Sequence, residues 1–228
     1  MILVLVCTPA WILAGQNPDP SQVLVKAIEN GQRVIDVLKN YECVRETKVE
    51  PIKPDLVIAG TYKRVSKLRR PSSEQIETVT ELKSDLGDDY RVSGQFLERL
   101  ARLYYFLIGS HTADTYEFNY VGRERIDELN TYVFDIKPKV HKLDSRSATR
   151  YLKGRIWIDG QDMEVVKVAG EIMPPAGPHR TARFETYFQN HGSYWFPAYS
   201  WADDDLPDGD AAYRAIIIIR YSQYKSAG

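Results

Sequence analysis

From about residue 114 to the C-terminus, apolar side chains recur at every second position, segment after segment, and that period fixes the class of fold. Tyr116, Phe118 and Tyr120 alternate with polar residues, and Tyr132, Phe134 and Ile136 repeat the pattern before Pro138 ends it. Leu152, Gly154, Ile156 and Ile158 lie on one face of the next run, which turns at Asp159-Gly160, a strong hairpin signal. Met163 to Ile172 answers it. Phe184, Thr186 and Phe188 share a face before a turn at His191-Gly192, and Tyr194, Phe196 and Ala198 follow. The last run, about 211–224, holds four consecutive isoleucines, Ile216 to Ile219, which reads as a strand buried on both faces. Successive hairpins of this kind predict an antiparallel meander that must close, or curl round something, to bury its inner face.

The first half of the chain supplies what the meander can curl round. Residues about 20–41 predict a helix with Ser21 as N-cap and Val25, Ile28, Val34, Ile35 and Leu38 on one face, weakened by Gly31 in its middle. Strands are predicted over about 42–50, 57–68 and 74–83, punctuated by Pro51, Pro54 and Pro71. Residues 95–109 return to a helical period, with Phe96, Leu97, Leu100, Leu103, Tyr104 and Leu107 forming a broad apolar face. The expected fold is therefore mainly β within the α+β class. It is a curved antiparallel sheet forming an incomplete β-barrel, with an N-terminal helix and a second helix packed in or over its concave face. No repeat or linker divides the chain, so residues 17–228 are expected to form a single domain.

Residues 2–15 contain no charge and are too short to span a bilayer comfortably; they end in small residues before a polar, proline-containing stretch. Residues 1–16 are read as a signal peptide, although a positive n-region is missing, so a retained membrane anchor stays open. Export to the periplasm is the expectation. Cys7 falls inside that segment, leaving Cys43 as a lone cysteine, read as a small buried hydrophobe. The 30 basic and 31 acidic residues nearly cancel, which argues against nucleic acid as a partner.

Three phrases of the second half carry a family likeness: YVFDIKPK (132–139), YLKGRIWIDGQDMEVVKVAGEI (151–172) and RFETYFQNHGSYWFPAYS (183–200). Together they resemble the outer-membrane lipoprotein-sorting proteins, the LolA-like and LolB-like half-barrel superfamily. The resemblance implies a half-open barrel whose helices act as a lid over an apolar cavity. It also implies a role as a periplasmic carrier or binding protein for lipid, acyl chains or lipidated protein. The same half-barrel serves envelope sensors that bind a protein partner, and that alternative stays open. On the carrier reading, Phe134, Ile136, Ile156, Ile158, Phe184 and Phe188 line the cavity from the sheet, with Leu100 and Leu103 on the lid. The long stretch 42–110 departs from the compact carriers.

No nucleophile, acid–base or phosphate-binding motif emerges, so no enzymatic activity and no cofactor are expected. His111, His141, His179 and His191 stand apart in sequence and read as loop residues rather than metal ligands. The acidic run Asp203 to Asp210 reads as a solvated hairpin tip, with weak cation binding as the other reading. The basic stretch Lys63 to Arg70 reads as a solvated edge strand, or as a surface for anionic lipid head groups or another protein.

Overall fold

The computed structural model describes residues 18–69, 76–103, 106–139, 149–174, 180–208 and 211–227; the predicted signal segment lies outside the described residues. Helix α1 (Pro20–Leu38) leads into strands β1 (Tyr41–Pro51), β2 (Tyr62–Arg69) and β3 (Ile76–Ser84). Helices α2 (Gly94–Leu103) and α3 (Ser110–Thr115) follow. Seven strands complete the chain: β4 (Tyr116–Ile126), β5 (Leu129–Pro138), β6 (Tyr151–Asp159), β7 (Val165–Met173), β8 (Arg183–His191), β9 (Tyr194–Asp208) and β10 (Ala211–Ser226). All ten strands form one curved antiparallel sheet in the order β3-β2-β1-β10-β9-β8-β7-β6-β5-β4, open between β3 and β4. The two edges are joined in sequence by the segment carrying α2 and α3, so the meander breaks where the helices are inserted.

One inward row crosses almost the whole sheet: Phe118, Ile136, Gly154, Gly170, Phe184, Ala202, Ile217, Val49 and Tyr62 pair in register from β4 to β2. Two glycines face each other in its middle. A Cβ on Gly154 would meet the Ala169 carbonyl oxygen and the Gly170 Cα, and one on Gly170 would meet the Lys153 carbonyl oxygen. The β6–β7 backbones therefore approach in a way that any side chain would prevent. Register shifts in β1–β10, β2–β3, β4–β5, β6–β7 and β8–β9 add local bends, and together they curl the sheet rather than leaving it flat.

Helix α1 lies across this concave face. Its N-cap is Asp19, whose carboxylate accepts from the Ser21 N–H at 2.7 Å, while Pro20 occupies the first helical position; the expected cap, Ser21, is thus a donor to the real one. The buried face is Val23, Ala27, Asn30, Gly31, Val34 and Leu38, whereas the predicted Val25 points to solvent. Asn30 is buried because its amide donates to the carbonyls of Asp162 (3.1 Å) and Met163 (2.9 Å), pinning the helix to the β6–β7 turn. That turn is shaped by Asp159, whose carboxylate accepts from the N–H groups of Gln161 and Asp162.

Other sequence expectations are corrected. The β2 strand begins at Tyr62 rather than 57, and it is interior because β3 covers its outer side; its cations pair as Lys63–Glu46, Arg64–Glu77 and Arg69–Glu42. The second helix stops at Leu103, and His111 sits in α3 rather than in a loop. The isoleucine run alternates: Ile217 and Ile219 are buried inward, while Ile216 and Ile218 are half-exposed on the convex face, since no second layer covers it there. Cys43 is half-buried. Residues 203–208 of the acidic run are strand β9, and its last two residues lie outside the described residues.

Gly31 explains its own presence in mid-helix. A Cβ there would collide with the carbonyl oxygen of Ile108, which belongs to the backbone and cannot swing aside. Alanine would gain about 1 kcal/mol of helix propensity, but overpacking against main chain costs about 1–3 kcal/mol. Gly31→Ala should therefore lower stability despite its better propensity. Urea unfolding of the variant is the check, and a more stable variant would show that the α1–Ile108 contact is loose.

Candidate functional site

The eight residues expected at a cavity fall into place as follows. Phe134, Ile136, Ile156, Ile158, Phe184 and Phe188 all belong to one apolar cluster on the concave face, and Leu100 joins it from α2. Leu103 lies in α2, but its side chain is outside the described residues. Phe96 and Leu97 complete the contribution of α2 to the cluster, and α1 adds Val23 and Ala27. Period two was sufficient to find the face of the sheet, because side chains two apart in a strand share a side. It gave no warning of the glycine pair at its centre.

Helix α2 rests on this surface like a separate plate. The Ser93 hydroxyl accepts from the Phe96 N–H at 3.1 Å, which starts the helix, and Phe96, Leu97 and Leu100 point down into the cluster. Arg99 ties the plate to β9, donating to the Asp204 carboxylate at 3.0 Å and to the Asp205 carbonyl at 3.2 Å. The acidic run expected at a solvated tip is therefore an ion network. Asp204 faces α2, while Asp203 and Asp205 pair with Arg180 and Arg214 on the other side of the strand. Burial pushes the Asp203 carboxyl up, but hydrogen bonds from Arg214 and Arg180 outweigh it and hold it below the usual carboxylate range. Each acid of this trio is answered by arginine, and no cluster of three or more metal-binding side chains occurs among the described residues.

The concave face changes character towards β1–β3. There Arg45, Thr47 and Ser66 are buried among the inward positions, and Arg45 and Arg64 converge on Glu77 at 2.9 and 3.1 Å. Burial pushes the Glu77 carboxyl up, yet the Ser66 hydrogen bond and the two arginines hold it below its ordinary value. The apolar surface is thus broadest over β4–β10 and narrows to Val49 and Leu68 on β1–β2, with a polar, arginine-bearing patch beside it.

Space around the site is unevenly distributed. A void of only about 10 Å³ beneath α1 is lined by Gly31, Val34, Phe106, Glu164, Phe188 and Trp195, so the described side chains close up at that point. A cleft of about 790 Å³ crosses β4–β7; besides Phe118, Ile136, Gly154 and Gly170 of the inward row it is lined by Glu117, Asn119, Asp135, Lys137, Lys153 and Glu171, which alternate with that row and so stand on the opposite, convex side of the sheet. A second, about 540 Å³, lies beside the start of α1 between the β4–β5 and β6–β7 turns, with Arg123, Glu124, Arg125 and Glu128 in its lining. Phe118, like Phe96 and Leu97, packs against or within the cluster without belonging to the expected site set; its alternation with Tyr116 and Tyr120 was the available signal.

A scan against protein-family models finds no match, and no curated protein matches the chain. Among solved structures the chain is similar to a LolA superfamily protein from Nitrosomonas europaea, at 17% identity over 91% of this chain and 93% of that one, with a TM-score of 0.40. It is also similar to an outer membrane lipoprotein-sorting protein domain from Vibrio parahaemolyticus (10% identity, 90% and 91% coverage, TM-score 0.42). A third is a DUF1329 family protein from Desulfovibrio piger (10%, 91% and 91%, TM-score 0.42). The first two are of the kind that the strand phrases resemble. At these identities and TM-scores the likeness carries no argument about ligand or activity, which rest on the geometry above.

Glu164 is a carboxyl that the sequence did not single out. It is 7% exposed beneath α1, and burial pushes its carboxyl up to about 7, with Arg33 pulling down and Asp162 pushing up. Because the folded value exceeds the ordinary 4.5, the folded chain keeps a proton that the unfolded chain releases. Stability from this group is therefore full below about pH 4.5, declines as pH rises and levels off above about 7. Glu164→Gln should flatten that decline, gaining on the parent by up to about 3 kcal/mol at pH 8 relative to pH 4.5. Urea unfolding at the two pH values tests it, and equal differences would mean the carboxyl ionises freely in the fold.

Proposed function

We propose that the chain acts outside the cytoplasm as a carrier or binding protein for an apolar ligand of the acyl-chain class, a lipid or the acyl group of a lipidated protein. In this reading it performs no chemistry of its own. The observation that carries it is the apolar concave surface of β4–β10, covered by a short separate helix. An acyl chain entering over Gly154 and Gly170 meets no side chain from those positions. Deeper entry exchanges Phe96, Leu97 and Leu100 of α2 for ligand methylenes, apolar for apolar. Each methylene withdrawn from water contributes about 0.8 kcal/mol, so a long chain supplies enough to displace the helix.

Native mass spectrometry of protein purified from the cell envelope without detergent, followed by solvent extraction, tests the reading. A released lipid, fatty acid or lipidated peptide supports it. A clean apo mass, together with a stoichiometric co-purified protein, would replace the carrier with a protein-interaction module. Phe118 gives a specific variant, because it is half-buried on an edge strand and packs against the apolar cluster. Phe118→Asp should weaken binding of a fluorescent fatty acid by at least about tenfold while the thermal unfolding midpoint moves only slightly. Unchanged affinity would remove the Phe118 end of the concave face from the ligand path.

A further inference from the structure

Ionic side chains balance in one part of the sheet and fail to balance in another. Around β9, Asp203, Asp204 and Asp205 are met by Arg99, Arg180 and Arg214, three acids against three bases. On β1–β3 the register sends Arg45, Arg64 and Glu77 to the concave side. Glu42, Glu46, Glu50 and Glu81 alternate with that set and stand on the convex side. Two guanidiniums therefore share one carboxylate, and both reach the same oxygen, Oε1 of Glu77, at 2.9 and 3.1 Å. Arg45 is 4% exposed, and its Nε is buried with no hydrogen-bond acceptor among the described residues. A guanidinium withdrawn from water and left short of acceptors is costly, and an anion entering beside it relieves that cost.

The approach to this pair runs over the edge of the sheet. Of the basic stretch, Lys63, Lys67 and Arg69 stand on the convex side, whereas Arg64 turns inwards with its side chain 20% exposed. On the edge strand β3, Val79 lies opposite Ser66 and Leu82 opposite Arg64, so both belong to the concave face, yet they are 45% and 59% exposed. On the other flank Leu68 and Val49 connect the arginines to the apolar cluster. We propose that Arg45 and Arg64 receive the anionic end of an amphipathic ligand, a carboxylate or phosphate at the head of an acyl chain whose tail lies along the apolar concave face. The planar fork of a guanidinium matches the paired oxygens of either group. A second anion brings the charges to two against two and supplies the acceptor that Arg45 lacks. The inference rests on the proposed carrier role and narrows its ligands to anionic amphiphiles.

Isothermal titration of the full chain with oleate, oleoyl lysophosphatidate and the uncharged monoolein tests it. Both anions should bind at least about tenfold more tightly than monoolein, as a charge-assisted hydrogen bond implies. The tighter of the two identifies the head group as carboxylate or phosphate. Arg64→Gln should remove the preference, while Arg220→Gln, on the convex face, should keep it. Should Arg64→Gln fail to fold, Glu77→Gln serves instead: with the internal acid gone, the preference for anions should rise several-fold. Equal affinity for all three ligands, a preference that survives Arg64→Gln, or one unmoved by Glu77→Gln would overturn the head-group site and leave the carrier reading standing. Absence of binding by all three would overturn both.

Discussion

The pairing of β1 with β10 is the contact on which the rest of the architecture depends. It joins Tyr41–Pro51 to residues 215–226, near opposite ends of the chain, and runs from Tyr41 opposite Ser226 to Pro51 opposite Ala215. Without it the sheet would fall into a three-stranded piece, β1–β3, and a seven-stranded piece, β4–β10, each with an additional free edge. Closing so long a loop costs entropy before any contact repays it, and the return comes from inward positions such as Val49 and Ile217, both nearly inaccessible to solvent. The pairing also carries the inward parity from one piece to the other, which is why a single concave face exists for the helices to cover.

The open side between β3 and β4 follows from the same arrangement. The chain spends the connection between the two edges on α2 and α3, so covering the apolar face replaces closing the barrel. This leaves the sheet with a concave surface divided by chemistry. Its β4–β10 part is apolar, with the paired glycines giving it a smooth floor, and its β1–β3 end carries Arg45 and Arg64 around Glu77. Helix α2 bridges these needs by pressing Phe96, Leu97 and Leu100 into the apolar part while Arg99 answers Asp204. An amphipathic ligand would find the same two environments in the same order.

Much of the fold was legible because strand periodicity is local. Alternation located β4 to β10, and it put Phe134, Ile136, Ile156, Ile158, Phe184 and Phe188 on one side, since a period of two has only two phases. The helical period located both long helices. What failed was whatever depended on a distant neighbour. The Asp203–Asp205 run looked like a solvated tip because its partners, Arg99, Arg180 and Arg214, are dispersed in sequence. Lys63 to Arg70 looked like an edge because nothing local shows that β3 lies outside it. The candidate site was legible as a face but not as a volume, because what packs over that face, α1 and α2 included, is set by tertiary contacts that no strand period records.

The sequence by itself determined that this chain makes an antiparallel sheet with a single apolar face and two helices able to cover it, because side-chain alternation and helical spacing are read from neighbours a few residues apart. Only the tertiary structure decided which strands are edges, that Gly31 and the Gly154–Gly170 pair are required by close backbone approach, and that Leu56 to Ile58 face solvent rather than a neighbouring strand. Those outcomes depend on what lies across a gap of tens or hundreds of residues. Burial and close contact are properties of pairs, and a single chain position carries no record of its partner until the chain has folded.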